Sequence, residues 1–475
     1  MPPVQISYEG GRTMTHVNGD PAKQTQHKSA VLHRSLNFLP HQVTSAKGNY
    51  LHLSNGHSIL DATGGAAVSC LGHGNERVKA ALVKQMDVVS YCHSLFFSTS
   101  AAEDLAAELI AGTDGKMAKS FMVSSGSEAM EAAIKMARQY FLELSPREPQ
   151  RVNFIARKES YHGTTLGSLA MSGHVARRAL FEPLLIGNVS RVSACNAYRG
   201  MLDGETEEEY VVRLAKELDE EFQRVGPETV CAFVAEPVVG AALGCVPAVP
   251  GYFPAMKAVC DKYGALLIMD EIMSGMGRSG TLHVWQQEGV VPDIQTIGKG
   301  LGGGYAPIAG ILINHRVVDA LSRGTGAFAH GQTYQGHPIA CAAALEVQRI
   351  IREGNLVDNV RRMGALLEKG LKERLADHPN VGNIRGKGLF WGIEFVHDKP
   401  TKAPFDPKKG IAMAVHEKGM EANYGISIYP GSGTVDGKFG DHVLICPAYN
   451  VTESDVDLIV DLAARVIEDY FEGIS

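Results

Sequence analysis

A single lysine set among glycines carries the clearest chemistry in this chain. Residues 292–304 read PDIQTIGKGLGGG, with Lys299 just past a strand-like piece at 294–297 and Gly298, Gly300, Gly302, Gly303 and Gly304 around it. A strand ending there delivers the amine to one point, and the glycines let a flat or bulky partner approach the backbone. An amine held away from water has a lowered pKa and can act as a nucleophile. The bland alternative is a surface lysine in a flexible turn.

Four other stretches could work with it. The apolar run at 265–269 ends in Asp270 and Glu271. A carboxylate at a strand's end can hold a cationic ring nitrogen, or it can merely cap a helix or face solvent. Ser124-Ser125-Gly126-Ser127-Glu128 lies between a strand pattern and a helix pattern. Backbone N–H groups at such a junction make an anion site, although the same residues suit an ordinary capped start. Tyr161, in YHGTT, could stack on a flat ligand or pack inside its loop. Thr333, in HGQTYQGHP, could donate to an anion or serve helix entry.

Two glycine patterns mislead. Residues 275–280, GMGRSG, fit GxGxxG, but Asp270 to Ser274 intervene after the strand and 281–285 start no amphipathic helix. That argues against a nicotinamide dinucleotide. Gly298-Lys299 is not a phosphate loop, because Asp293 and Gly300 stand where Gly and Ser/Thr are needed.

The elements that must position these residues alternate. Strand patterns at 119–124, 152–156, 230–235, 265–269 and 294–297 interleave with helical patterns at 127–144, 206–224 and 252–263. This is α/β organisation with a largely parallel sheet, whose ligands bind at the carboxyl ends of the strands. Residues 49–60 alternate about Asn55-Gly56 as a hairpin, and helical spacing covers 76–89 and 101–110. A helix at 338–352 leads out. Helices at 356–375 and 454–470, with strand pieces at 389–395 and 442–446, make a smaller α+β domain. The chain divides into a flexible arm at 1–35, the first part of the small domain at 36–75, a large ligand-binding domain at 76–337 and the rest of the small domain at 338–475.

Composition bounds the function. With 475 residues and 45% hydrophobic content a sizeable core is available. A net charge of −7 offers no basic footprint for nucleic acid. The 8 cysteines form no CxxC and the 18 histidines no HExxH, so no metal site is expected. No apolar run reaches membrane-spanning length and the first residues lack a signal-peptide core, so a cytoplasmic location is expected.

Taken in order, SGSEA at 125–129, YHGTT at 161–165, AEPV at 235–238, MDEI at 269–272, GMGRSG at 275–280, GKGLGGGYAPIAG at 298–310 and HGQTYQGHP at 330–338 resemble the class III aminotransferases. These belong to the fold-type-I pyridoxal phosphate enzymes, and the resemblance runs from about residue 50 to 470. It implies that Lys299 forms the internal Schiff base and then moves protons, and that Asp270 pairs with the pyridine nitrogen. Tyr161 and Ile272 would cover the two ring faces. Ser125, Gly126 and Ser127 would bind the phosphate, with Thr333 contributed by the other subunit of a homodimer. His162 and Glu236 would complete the cofactor and substrate pocket.

Two departures bear on substrate choice. Relatives often carry a carboxylate-binding arginine shortly before the segment ending here in Gly440-Asp441-His442. Residues 428–442 contain no arginine but a glycine-rich insertion with Lys438, a poorer carboxylate clamp. Amine-specific relatives often have a tryptophan near Ala67, so the pocket here should be roomier, with Phe96, Phe97 and Tyr429 as candidate walls. The expected activity is transfer of an amino group from a primary amine or ω-amino acid to pyruvate or 2-oxoglutarate by a ping-pong mechanism. Within the family the alternative is an aminomutase or amino-acid epimerase. Outside it stand a nicotinamide-dependent dehydrogenase and an inactive cofactor-bearing scaffold.

Overall fold

The computed structural model describes residues 29–36 and 38–474. Most of the expected N-terminal arm, residues 1–28, lies outside them.

A central sheet of 7 strands runs in the spatial order Met117–Val123, Ala309–Asn314, Ile294–Ile297, Leu266–Asp270, Val230–Ala235, Asn153–Arg157, Val189–Val192. The strands from Ile294–Ile297 through to Val189–Val192 pair in parallel. Ala309–Asn314 runs antiparallel to both of its neighbours. The strand Leu266–Asp270 is buried along its whole length. Its residues alternate between two cores: Leu266 and Ile268 pack with the helix Gly126–Glu143, and Leu267 and Met269 with Glu207–Val225 and Tyr252–Lys262. Helices on both faces explain why this strand reads as one continuous apolar run rather than an alternation.

Local chemistry fixes where the flanking helices start. Ser125 caps Gly126–Glu143 by accepting from the N–H of Glu128 at 3.3 Å, while Glu128 Oε2 accepts from the N–H of Ser124 at 2.9 Å. Glu207–Val225 opens with a reciprocal Thr206/Glu209 box and stops at Gly226, φ 99°. Boundaries read from the sequence fall within a residue or two of these.

The C-terminal part forms a second sheet of 4 antiparallel strands in the order Val381–Lys387, Phe390–Phe395, Asp441–Ile445, Tyr429–Ser432. The N-terminal strands Val43–Lys47, Tyr50–Leu53 and Ser58–Asp61 make a separate small sheet with Ile426–Ser427. One core holds Leu60, Leu71 and Val78 together with residues of the helices Leu356–Leu375 and Glu453–Glu472. Residues 60–78 therefore share one core with the C-terminal helices.

Candidate active site

The carboxyl ends of the parallel strands open on a cleft of about 160 Å³. Eight of the residues singled out above line it: Gly126, Ser127, Tyr161, His162, Glu236, Asp270, Ile272 and Lys299. Gly163, Ala241 and Met273 line it as well.

Lys299 follows the strand Ile294–Ile297 at the head of a tight turn, Lys299–Leu301, with φ 43°. A left-handed backbone at a non-glycine residue costs about 1–2 kcal/mol, so the surrounding packing must hold it there. Gly298 is part of that packing: a Cβ there would come within 3.1 Å of Ile272 Cδ1 and 3.3 Å of Ala309 Cβ. Protein encloses the lysine, yet part of its surface stays open to the cleft. Its amine makes no hydrogen bond or ion pair among the described residues. Burial pulls its pKa below the usual lysine value, against the opposing charges of Asp270 and Glu236.

Asp270 closes the strand Leu266–Asp270 and is 5% exposed. His162 Nδ1 lies 2.7 Å from its Oδ2. Thr296 Oγ1 donates to Oδ1 at 2.8 Å and the N–H of Ile272 at 3.1 Å. Three donors from three segments fix the carboxylate's orientation. Glu271, one residue on, points to the other side. It accepts from the N–H groups of Val284 at 2.7 Å and Trp285 at 2.9 Å, and burial pushes its pKa up to about 8. Neighbouring side chains at a strand's end face opposite ways, so only one of the two acids meets the cleft.

Glu236 Oε1 accepts from the N–H of Tyr161 at 2.9 Å, tying that loop to the strand Val230–Ala235. Burial raises the pKa of Glu236, opposed by the charge of His162. At the far end of the cleft, Gly126 and Ser127 open the helix Gly126–Glu143. Ser127 Oγ accepts from the N–H of Thr164 at 3.0 Å. That approach needs Gly163, whose φ is 134° and whose Cβ would sit 2.6 Å from Ser127 Oγ.

The remaining candidates lie elsewhere. Ser125 spends its hydroxyl on the helix cap. Thr333 is exposed and outside the cleft of its own chain. Ala67 is buried beside Met273, and Tyr429 packs against the same cluster. Phe96 and Phe97 are 71% and 64% exposed, so they do not wall the cleft within this chain. Lys438 is exposed in the 433–440 loop, where its N–H donates to Asp436 Oδ1 at 2.9 Å; it too is absent from the cleft lining. One cation absent from the sequence reading is Arg177, whose Cζ lies 4.7 Å from the centroid of the Tyr161 ring. The segment around it, GHVARRALFEP, has no periodicity or motif that would have flagged it.

The fold and this cleft define a transferase of the fold-type-I class. The family model Aminotransferase class-III matches residues 31–467, and the chain belongs to that family. An aminotransferase of Gibberella zeae is 62% identical over 92% of this chain and 85% of its own length. Gamma aminobutyrate transaminase 3, chloroplastic, of Solanum lycopersicum is 36% identical over 92% of this chain and 82% of its own. The crystal structure of the omega transaminase from Pseudomonas jessenii in complex with PMP superposes with a TM-score of 0.85, at 34% identity over 91% of this chain and 93% of that one. The protein is an aminotransferase.

Proposed function

We propose that this aminotransferase uses pyridoxal 5′-phosphate to take an amino group from a primary amine or ω-amino acid and pass it to a keto acid, pyruvate or 2-oxoglutarate, in two half-reactions. The observation that carries this reading is the pairing, in one cleft, of the unpartnered Lys299 amine with the fixed Asp270 carboxylate, beside a helix N-terminus.

The residues fit the cofactor. An aldehyde needs a free amine of lowered pKa, which Lys299 supplies. A phosphate suits the opening N–H groups of Gly126 and Ser127, where the helix dipole adds positive potential. A pyridine nitrogen suits Asp270, whose carboxylate His162 and Thr296 hold in place. When bound, the cofactor supplies an electron sink for the substrate carbon.

The chain's own groups do the rest. Asp270 would hold a proton at the ring nitrogen, the charge on which that sink depends. Lys299, an amine of lowered pKa facing the cleft, would serve as the base that moves a proton to and from the substrate carbon. Tyr161 and Ile272, which both line the cleft, would cover a flat ring there and exclude water from it. Glu236 keeps the Tyr161 loop in register.

A homodimer with shared sites completes the proposal. Its support is that Thr333, Phe96 and Phe97 are exposed and outside their own chain's cleft, where a second copy could use them. The test is product analysis with an amine panel and both keto acids. The reading predicts stoichiometric appearance of amino acid, lost in Lys299→Ala. Turnover without keto acid would indicate an isomerising enzyme instead.

A further inference from the structure

A cation with no assigned work lies over the ring of Tyr161, a residue that lines the cleft. It sits on the short helix Val175–Arg178. Arg178 anchors that helix: its Nη1 donates to the carbonyls of Ala170 at 2.9 Å and Ser172 at 2.7 Å, and its Nη2 pairs with Glu182 at 2.8 Å. The glycine-rich loop braces the other side. The N–H of Ala176 donates to the carbonyl of Gly437 at 3.4 Å, and a Cβ on Gly437 would come within 2.9 Å of Val175 N. Between these supports Arg177 lies exposed over the Tyr161 ring. It forms no hydrogen bond or ion pair among the described residues. A contact over a ring satisfies none of a guanidinium's N–H donors. Its N–H donors lie in the plane and stay available, and their fork matches a carboxylate.

Position decides what that fork can reach. Tyr161 lines the cleft together with Lys299. Arg177 adds a small lowering effect on the Lys299 amine, after burial and the opposing charges of Asp270, Glu236 and Cys446. Burial raises the pKa of Tyr161, and the charge of Arg177 is the largest effect opposing it. The insertion at 433–440 therefore does not bring its own lysine to the cleft; it holds the helix that presents an arginine.

We propose that Arg177, held over the Tyr161 ring, is the specificity residue that pairs with the carboxylate of the keto-acid acceptor and of acidic amino donors. This rests on the aminotransferase reading above and names its missing carboxylate-binding group.

The test compares two acceptors of similar size, a 2-keto acid and an uncharged aldehyde, in the wild type, Arg177→Gln and Arg177→Lys holoenzymes. The expected result is that the keto-acid-to-aldehyde ratio of kcat/KM falls roughly ten- to hundredfold in Arg177→Gln. Arg177→Lys should recover part of it, because it restores a charge but not the fork. Calorimetric binding of glutarate, an unreactive dicarboxylate, gives a second readout and should weaken at least about tenfold in Arg177→Gln. A ratio that does not change, or glutarate binding that does not change, overturns the proposal. If the wild type aminates neither acceptor, the aminotransferase chemistry fails, and glutarate binding alone decides whether Arg177 is a carboxylate site.

Discussion

The stretches 275–280 and 298–304 are both rich in glycine, both follow a strand of the central sheet, and each encloses one cation. In the first, Arg278 is completely buried over the Tyr449 ring, 4.6 Å from its centroid. Its Nη1 donates to the carbonyls of Leu389 and Pro447. The N–H of Leu389 donates back to the backbone carbonyl of Arg278 at 3.1 Å. Arg278 thus fastens the central sheet's loops to the C-terminal sheet. In the second, Lys299 is enclosed but has no hydrogen-bond or ion-pair partner among the described residues, and it faces the cleft. The lesson is that glycines show where a backbone is crowded, and the hydrogen-bond partners of the enclosed cation show whether the crowding serves packing or chemistry.

Breaking the second stretch should have the largest effect. Lys299→Ala is expected to lower steady-state amino transfer by at least about 10³-fold with circular dichroism unchanged. Asp270→Asn tests the neighbouring charge. It should cost roughly 10²–10³-fold in kcat, since the hydrogen bonds from His162 and Thr296 are only partly replaceable by an amide. Breaking the first stretch should act on stability instead. Arg278→Met leaves two buried carbonyls unpaired and is expected to cost roughly 1–3 kcal/mol in denaturant unfolding, with turnover per folded molecule little changed. A large loss of turnover without loss of stability would erase the distinction between the two loops.

The smallest effect sharpens the contrast between Asp270 and Glu271. Glu271 has its pKa raised from 4.5 to about 8 by burial. Between those values the folded state binds more protons than the unfolded state, so its contribution to stability is full below about 4.5 and fades as pH rises towards about 8. Glu271→Gln should flatten that part of the stability–pH curve. An unchanged slope would place the titration elsewhere.

Much of this was legible because period and position are local properties. The strands 230–235 and 294–297 and the helix 356–375 were read to the residue, since apolar runs and helical spacing are written in the chain itself. The strand Ala309–Asn314 was not read, because AGILIN follows a Gly/Pro-rich stretch and its antiparallel pairing is set by two neighbours distant in sequence. Strand alternation implied that Asp270 and Glu271 face opposite ways but not which one meets the cleft. The cleft's floor was legible because its residues sit at strand ends and a helix start. The surroundings were not: Arg177 is placed by an aromatic ring in another segment, and Phe96, Phe97 and Lys438 suit by type but are exposed where the fold leaves them.

The central claim is that Lys299 and Asp270 together receive pyridoxal phosphate. The most direct measurement is the visible absorbance of the purified protein with added pyridoxal phosphate, before and after a donor amine, in wild type and Lys299→Ala. The account predicts a protein-bound band in the wild type that a donor amine bleaches without keto acid and that Lys299→Ala does not form in the same way. A wild-type spectrum identical to free pyridoxal phosphate plus protein would contradict it.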